Sequence, residues 1–231
     1  MITKPFEIPF GGHLLRGDTH SPTSNTLVLH GAGQSSRAGF SRLREALYQN
    51  GIPSVSFDFI GHGETGGQLI GSSLRERTNQ AAAVIRENCS NPLTILGASM
   101  SGYTAIKLTE LFPVDNLILL VPAVYSYRVY DTAFGDKFSE VIRSPRSWQD
   151  SDAFTILSEF KGNLVIIAAE YDDVIPAEIV QRIQASAKRA KKTSLYIVPG
   201  SNHRSLFPTR KEFFRGVDII LKTCLLVTSK S

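Results

Sequence analysis

Three side chains of this sequence have the types, order and surroundings that nucleophilic catalysis asks for: Ser99, Asp172 and His203. Ser99 stands in Gly97-Ala98-Ser99-Met100-Ser101-Gly102, directly after the apolar run Leu93-Thr94-Ile95-Leu96 and at the start of a helical pattern. A sharp strand-to-helix turn lifts a hydroxyl out of the carboxyl edge of a sheet, provided that the flanking residues are small enough for strand and helix to approach closely. Gly97 and Ala98 meet that condition. The fifth position of such a turn is usually Gly and here is Ser101, with Gly102 behind it. Ser101 as the nucleophile would put Tyr103 at the crowded position two residues later, so Ser99 is preferred. Taken alone, the hexapeptide also fits an ordinary helix start with Ser99 as N-cap.

A base and the acid that orients it should leave later strands on the same sheet edge. Val165-Ile166-Ile167-Ala168-Ala169 runs into Glu170-Tyr171-Asp172-Asp173-Val174-Ile175-Pro176, and Leu195-Tyr196-Ile197-Val198 runs into Pro199-Gly200-Ser201-Asn202-His203. His203 would take the Ser99 proton and return it to the leaving group, while a carboxylate fixes the imidazole tautomer and stabilises its charge. Asp172 is preferred to Glu170 and to Asp173, which suits a carboxylate at a helix N-terminus. The glycine-rich turn His30-Gly31-Ala32-Gly33 follows Leu27-Val28-Leu29 and can aim a backbone N–H at an oxyanion. The expected donors are the N–H groups of Ala32 and Met100. His30 precedes the serine and sits at a strand end, so it reads as structural rather than as the base.

These residues need a frame that brings distant loops to one rim. Apolar, β-branched runs alternate with amphipathic stretches from residue 26 onward, the pattern of parallel strands joined by crossover helices. Expected strands are 26–30, 53–58, 93–97, 116–121, 163–169 and 194–198, preceded by a hairpin of 6–10 and 13–17 around Gly11-Gly12 at one sheet edge. Helices are expected over 37–50, 73–88, 100–111, 177–192 and 210 to about 226. The segment from Pro122 to about Phe160 breaks the rhythm and carries Tyr125, Tyr127, Tyr130, Phe134 and Trp148, so it reads as an excursion over the sheet, either a small lid or a helical cap on the core. With no repeats, linkers or low-complexity tracts, residues 1–231 are expected to form one α/β domain.

Taken as an ordered set, these motifs resemble an α/β-hydrolase-fold serine hydrolase, in its esterase and monoacylglycerol-lipase-like branch. The match runs from His30-Gly31-Ala32-Gly33 through Asp58-Phe59-Ile60-Gly61-His62-Gly63 and the Ser99 turn to Asp172, Pro176 and His203. The resemblance implies an eight-stranded, mostly parallel sheet with helices on both faces. It also implies that Asp172, four residues before Pro176, is the acid, that Ala32 and Met100 form the oxyanion hole, and that the turn containing His62 is structural. Ser101 in place of Gly, and Ala168-Ala169-Glu170 where relatives more often carry His-Gly-Glu, depart from the pattern.

Composition excludes several classes of function. Hydrophobic residues at 42% and charged residues at 20% suit a globular protein and rule out collagen-like, coiled-coil and disordered chains. A net charge of +4 is weak support for nucleic-acid binding, which is not expected. Cys89 and Cys224 match neither a metal spacing nor a disulfide framework, which, with the absence of a signal-like or membrane-spanning run, leads us to expect a cytoplasmic protein. Arg182, Lys188, Arg189, Lys191 and Lys192 read as a solvated helix end, with an anionic carrier such as coenzyme A as the lesser alternative. The expected activity is hydrolysis of a small-molecule carboxylic ester or thioester through an acyl-Ser99 intermediate, without cofactor or metal. Acyl transfer from the same serine and a non-catalytic binding role are the alternatives.

Overall fold

The computed structural model describes residues 3–225. Its eight strands are β1 (Lys4–Phe10), β2 (His13–Thr19), β3 (Thr26–Leu29), β4 (Ser54–Phe57), β5 (Leu93–Ala98), β6 (Val114–Leu120), β7 (Asn163–Tyr171) and β8 (Lys192–Asn202). They form one sheet in the order β1-β2-β4-β3-β5-β6-β7-β8. β1 and β2 pair antiparallel, as do β2 and β4, and the pairings from β4 through β8 are parallel. Among the described residues seven α-helices complete the fold: α1 (Ser41–Gln49), α2 (Leu74–Asn88), α3 (Met100–Leu108), α4 (Asp136–Arg143), α5 (Ala153–Glu159), α6 (Ala177–Ser186) and α7 (Arg210–Leu225).

The central strands are apolar on both sides because each face is covered. Leu93 and Ile95 of β5, Leu117 and Leu119 of β6, and Leu164 and Ile166 of β7 point into one core, shared with α2, α3, α5 and α6. Their neighbours Leu96, Ile118, Leu120, Val165 and Ile167 point into the other, which α1 closes with Leu43 and Leu47 and α7 with Phe213, Val217 and Ile220. A side-chain period of two makes this division automatic, and a slip of one residue would invert it. Register is further pinned by a buried polar ladder. Asn163 Nδ2 donates to Asn116 Oδ1 at 2.9 Å, and Asn116 Nδ2 donates to Thr94 Oγ1 at 3.0 Å, across three residues paired in β7, β6 and β5.

All eight expected strands and the edge hairpin are present, and the differences lie at element ends. The expected helix 37–50 is a 3-10 turn, Arg37–Phe40, followed by α1. The helix expected over 100–111 stops at Leu108. The helix expected over 177–192 ends at Ser186, because Lys191 N–H bonds Gly162 O at 2.9 Å and Lys192 already pairs with Asn163 as β8 begins. The basic cluster is therefore not one helix end: only Arg182 is helical, and Lys188, Arg189 and Lys191 occupy the turn before β8. Leu226, the expected end of the last helix, lies outside the described residues, as do Met1 and Ile2.

Candidate active site

The loops leaving β3, β5, β7 and β8 converge at the carboxyl edge of the sheet. Ser99 lies between β5 and α3 with φ 51° and ψ −120°, a left-handed backbone that an L-residue rarely adopts. The turn is held by bonds on both sides, Ser99 N–H to Leu120 O at 2.9 Å and Ala123 N–H to Ser99 O at 3.0 Å. Small neighbours are obligatory here, since a Cβ on Gly97 would come within 2.2 Å of Ser101 O, and one on Gly102 within 2.8 Å of the Pro122 Cβ.

His203 stands directly above this turn. Its Nε2 is 3.0 Å from Ser99 Oγ and its Nδ1 is 3.0 Å from Asp172 Oδ2. With Nδ1–H donating to the carboxylate, Nε2 is left as the acceptor for the Ser99 hydroxyl. The Asp172 side chain is only 8% exposed and its other oxygen, Oδ1, accepts from Val174 N–H at 3.0 Å and Ile175 N–H at 2.8 Å. The neighbouring acids point elsewhere. Glu170 Oε2 accepts from Gly200 N–H at 2.7 Å, and Asp173 is exposed. Nor is Asp173 in the first turn of α6, where Glu178 is the acidic residue. Such a chain of hydroxyl, imidazole and carboxylate can move a proton from oxygen to Nε2 and back.

The opposite wall is the turn after β3. An ideal Cβ on Gly31 would lie 3.2 Å from the Ser99 Cβ, so the Gly31 backbone, with Ala32 next to it, sits against the serine. Met100 is the first residue of α3, where a backbone N–H has no partner within its own helix. His30 is completely buried; its Nδ1 bonds Gly31 O at 2.8 Å, and its Nε2 accepts from Phe59 N–H at 3.1 Å. Both nitrogens are thus engaged as in a neutral imidazole, and burial together with nearby Arg77 lowers its pKa to about 2. Asp58 anchors the following turn by accepting from Arg37 N–H at 2.8 Å and Glu64 N–H at 3.0 Å. Gly63 is required there because a Cβ would fall 2.3 Å from the Asp58 carboxylate. His62 is buried beside it, with burial and Arg77 again lowering its pKa.

A cavity of about 650 Å³ opens in front of Ser99 and His203. Its larger apolar side chains are Phe40, Leu43, Leu206, Phe207 and Phe213, from the segments after β3 and β8, with Leu120 and Val121 at the end of β6. Sequence reasoning did not single these out; the signal was Phe40, in the expected helix that follows the β3 turn, and Phe207, in the loop just after His203. None of the residues lining the cavity belongs to 122–160. That segment forms α4, α5 and a short 3-10 turn, and packs on α3: Tyr103 stacks edge-on with Tyr125 and Tyr130, and its hydroxyl donates to Asp152 Oδ1 at 2.5 Å. Arg143 and Arg146 lie outside the cavity lining as well, and Arg146 pairs with Glu178 at 3.2 Å. Among the described residues no cluster of His, Cys, Asp and Glu could hold a metal ion, and no helix is long and apolar enough to cross a membrane.

A family model described as Hydrolase_4, serine aminopeptidase, S33, matches residues 20–148, more than half of the chain. The chain belongs to that family. The matched part of this Hydrolase_4 member holds the β3 turn and Ser99, and ends before Asp172 and His203. Its fold is shared by Est1E from Butyrivibrio proteoclasticus with ferulic acid bound, at 18% identity and a TM-score of 0.74, with 97% of this chain and 100% of that one covered. A Paleococcus ferrophilus monoacylglycerol lipase superposes with a TM-score of 0.71 at 17% identity, covering 90% of this chain and 97% of the other. The Pyrococcus furiosus esterase Pf2001 gives 0.69 at 21% identity, covering 96% and 93%. No curated protein matches the chain. At these identities the structural likeness establishes the α/β-hydrolase fold that the sequence motifs resemble.

Proposed function

We propose that the protein is a serine hydrolase that cleaves a carboxylic ester or thioester through an acyl-Ser99 intermediate. The observation that carries this reading is the hydrogen-bonded chain Ser99 Oγ, His203 Nε2, His203 Nδ1, Asp172 Oδ2, with both links at 3.0 Å. In the forward step Ser99 Oγ attacks the carbonyl carbon while its proton passes to His203 Nε2. The carbonyl electrons collect on oxygen, facing the N–H groups of Ala32 and Met100, and return as the bond to the leaving alcohol or thiol breaks. His203 gives its proton to that leaving group. Water then attacks the acyl-serine carbonyl and loses its proton to the same Nε2, releasing a carboxylic acid and restoring the serine hydroxyl. Asp172 stays ionised throughout and holds the imidazole in the tautomer that accepts at Nε2. Removing one oxyanion donor from such a site costs roughly 10²–10³ in kcat.

A second reading comes from the family description, which names an aminopeptidase. An α-ammonium substrate calls for a carboxylate in the binding cavity. Of the described residues that line the cavity none is Asp or Glu, whereas Arg42 and Arg204 are both there. The cavity therefore favours an uncharged or anionic ester over a peptide with a free amino terminus. The test is turnover of p-nitrophenyl esters of graded acyl length, matched thioesters and an alanine p-nitroanilide by the wild type and by Ser99→Ala. Ester or thioester hydrolysis that disappears in Ser99→Ala supports the reading; faster cleavage of the anilide than of any ester would replace it with the peptidase.

A further inference from the structure

One buried side chain beside the site is not used by the proton chain. Arg77 of α2 is 1% exposed, and its Nη2 donates to His30 O at 3.1 Å, Gly31 O at 3.2 Å and Ser101 Oγ at 3.0 Å. Every partner is a neutral oxygen, and Nε and Nη1 have no hydrogen-bond partner among the described residues. The guanidinium lies over the Phe59 ring, 3.7 Å from its centroid. A buried cation without a carboxylate is a poor device for stability, because its lost hydration is not repaid by an ion pair.

The three contacts lie on the two halves of the candidate oxyanion site. Gly31 O is the carbonyl of the peptide whose N–H belongs to Ala32. In a trans peptide the C=O and the following N–H point in opposite directions. Gly31 O is clamped by two donors, His30 Nδ1–H at 2.8 Å and Arg77 Nη2 at 3.2 Å, which together set the direction of the Ala32 N–H, and the positive charge of Arg77 behind the carbonyl polarises the amide so that its N–H becomes a stronger donor. Ser101 ties the other half in. Its hydroxyl donates to His30 O at 2.5 Å while accepting from Arg77, which joins the first turn of α3, and hence Met100, to the β3 turn. A glycine at 101 would leave that joint unmade, so the departure from the usual nucleophile turn has a physical use.

We propose that Arg77 is a positioning residue for the oxyanion site: through Gly31 O and Ser101 it fixes the two N–H donors and opposes, across the Gly31–Ala32 amide, the negative charge that develops on the substrate oxygen. This rests on the acyl-Ser99 reading and deepens it. The charge stays buried because its counter-charge is transient, formed on the far side of that peptide only during acyl transfer.

The test uses the full chain with p-nitrophenyl acetate as substrate, a trifluoromethyl ketone as the tetrahedral mimic and 4-nitroacetanilide, an uncharged amide analogue of the substrate, as the ground-state ligand. Arg77→Met, checked for fold by circular dichroism, should lower kcat by roughly 10–100-fold with KM moved less than about threefold. Its affinity for the ketone should fall by the same factor as kcat/KM while binding of the neutral anilide is unchanged, and Arg77→Lys should recover part of both. A folded Arg77→Met with kcat within about twofold of wild type, or with ketone and anilide weakened equally, overturns the proposal. If Arg77→Met does not fold, Ser101→Gly decides: it should lose kcat and ketone affinity in parallel, and wild-type values overturn the role. Ser99→Ala separates the two levels. Turnover retained there sinks the acyl-serine reading itself, whereas its loss beside unchanged Arg77→Met kinetics sinks only the role of Arg77.

Discussion

Gly31 and Ser99 are in such close contact that a methyl group on Gly31 would stand 3.2 Å from the serine Cβ. That distance is tighter than ordinary packing, so Gly31→Ala should push the β3 turn outward by a few tenths of an ångström and carry the Ala32 N–H with it. We expect kcat for p-nitrophenyl acetate to fall roughly tenfold or more at unchanged Tm, since small misplacements at a reacting centre cost far more in rate than in stability. Wild-type kcat in a folded Gly31→Ala would remove the β3 turn from the reaction.

Asp172→Asn makes a sharper case. The Asn Oδ1 can still accept from Val174 and Ile175, but its NH₂ then faces His203 Nδ1 and selects the tautomer with hydrogen on Nε2. Ser99 loses its proton acceptor, and kcat should drop roughly 10³–10⁴-fold with the fold intact. Asp173→Asn, at an exposed neighbour, should be close to wild type. A steady-state comparison of the two variants distinguishes the acids, and the reverse ranking would assign the role to Asp173.

Much of this site was legible from residue order alone. Ser99, Asp172 and His203 each follow an apolar run whose length and β-branched content suit a buried strand, so chain order places them on one edge once the strands are parallel. Arg77 was not legible in the same way. It occupies the apolar stripe of α2 with Leu74, Ala81 and Ile85, where an arginine is out of pattern, but its meaning depends on the β3 turn it touches, 46 residues earlier at Gly31. The helix ends at Ser186 rather than at Lys192 although Ala187 to Lys191 keep helical composition, because Lys191 N–H bonds Gly162 O and Lys192 pairs with Asn163 across the sheet. Local propensity carries no information about that pairing.

His30 predicts the acid limb of the stability profile. Its folded pKa is near 2, against 6.5 for the free side chain, through burial first and the charge of Arg77 second, with His62 and Arg37 adding to it. Below pH 6.5 the unfolded chain binds a proton that the folded chain refuses, so stability is lost as pH falls from about 6.5 toward 2. The slope from this group is about 1.4 kcal/mol per pH unit. Urea unfolding between pH 7 and 4 should show the decline, and His30→Gln, which can still donate to Gly31 O or accept from Phe59 N–H, should flatten it. An unchanged slope in that variant would assign the acid limb to other groups.

Charge in the cavity predicts substrate preference. Arg42 and Arg204 are exposed at the lining, and Arg42 rests 3.9 Å from the Phe213 ring centroid. For ester pairs alike except for a remote carboxylate, kcat/KM should favour the anion by roughly three- to tenfold at low salt, since exposed charges contribute up to about 1 kcal/mol each. Added salt should erase the preference, and the double substitution Arg42→Glu with Arg204→Glu should reverse it. Equal turnover of both esters at low salt would show that neither arginine meets the substrate.

The acyl-serine itself is the most direct object of measurement. Rapid quenching of the enzyme with a p-nitrophenyl ester in excess, followed by peptide mass spectrometry, should find the acyl mass added to the peptide that contains Ser99, at that residue, with no adduct in Ser99→Ala. An adduct at Ser101 or another residue, or full ester turnover by Ser99→Ala, would contradict the account.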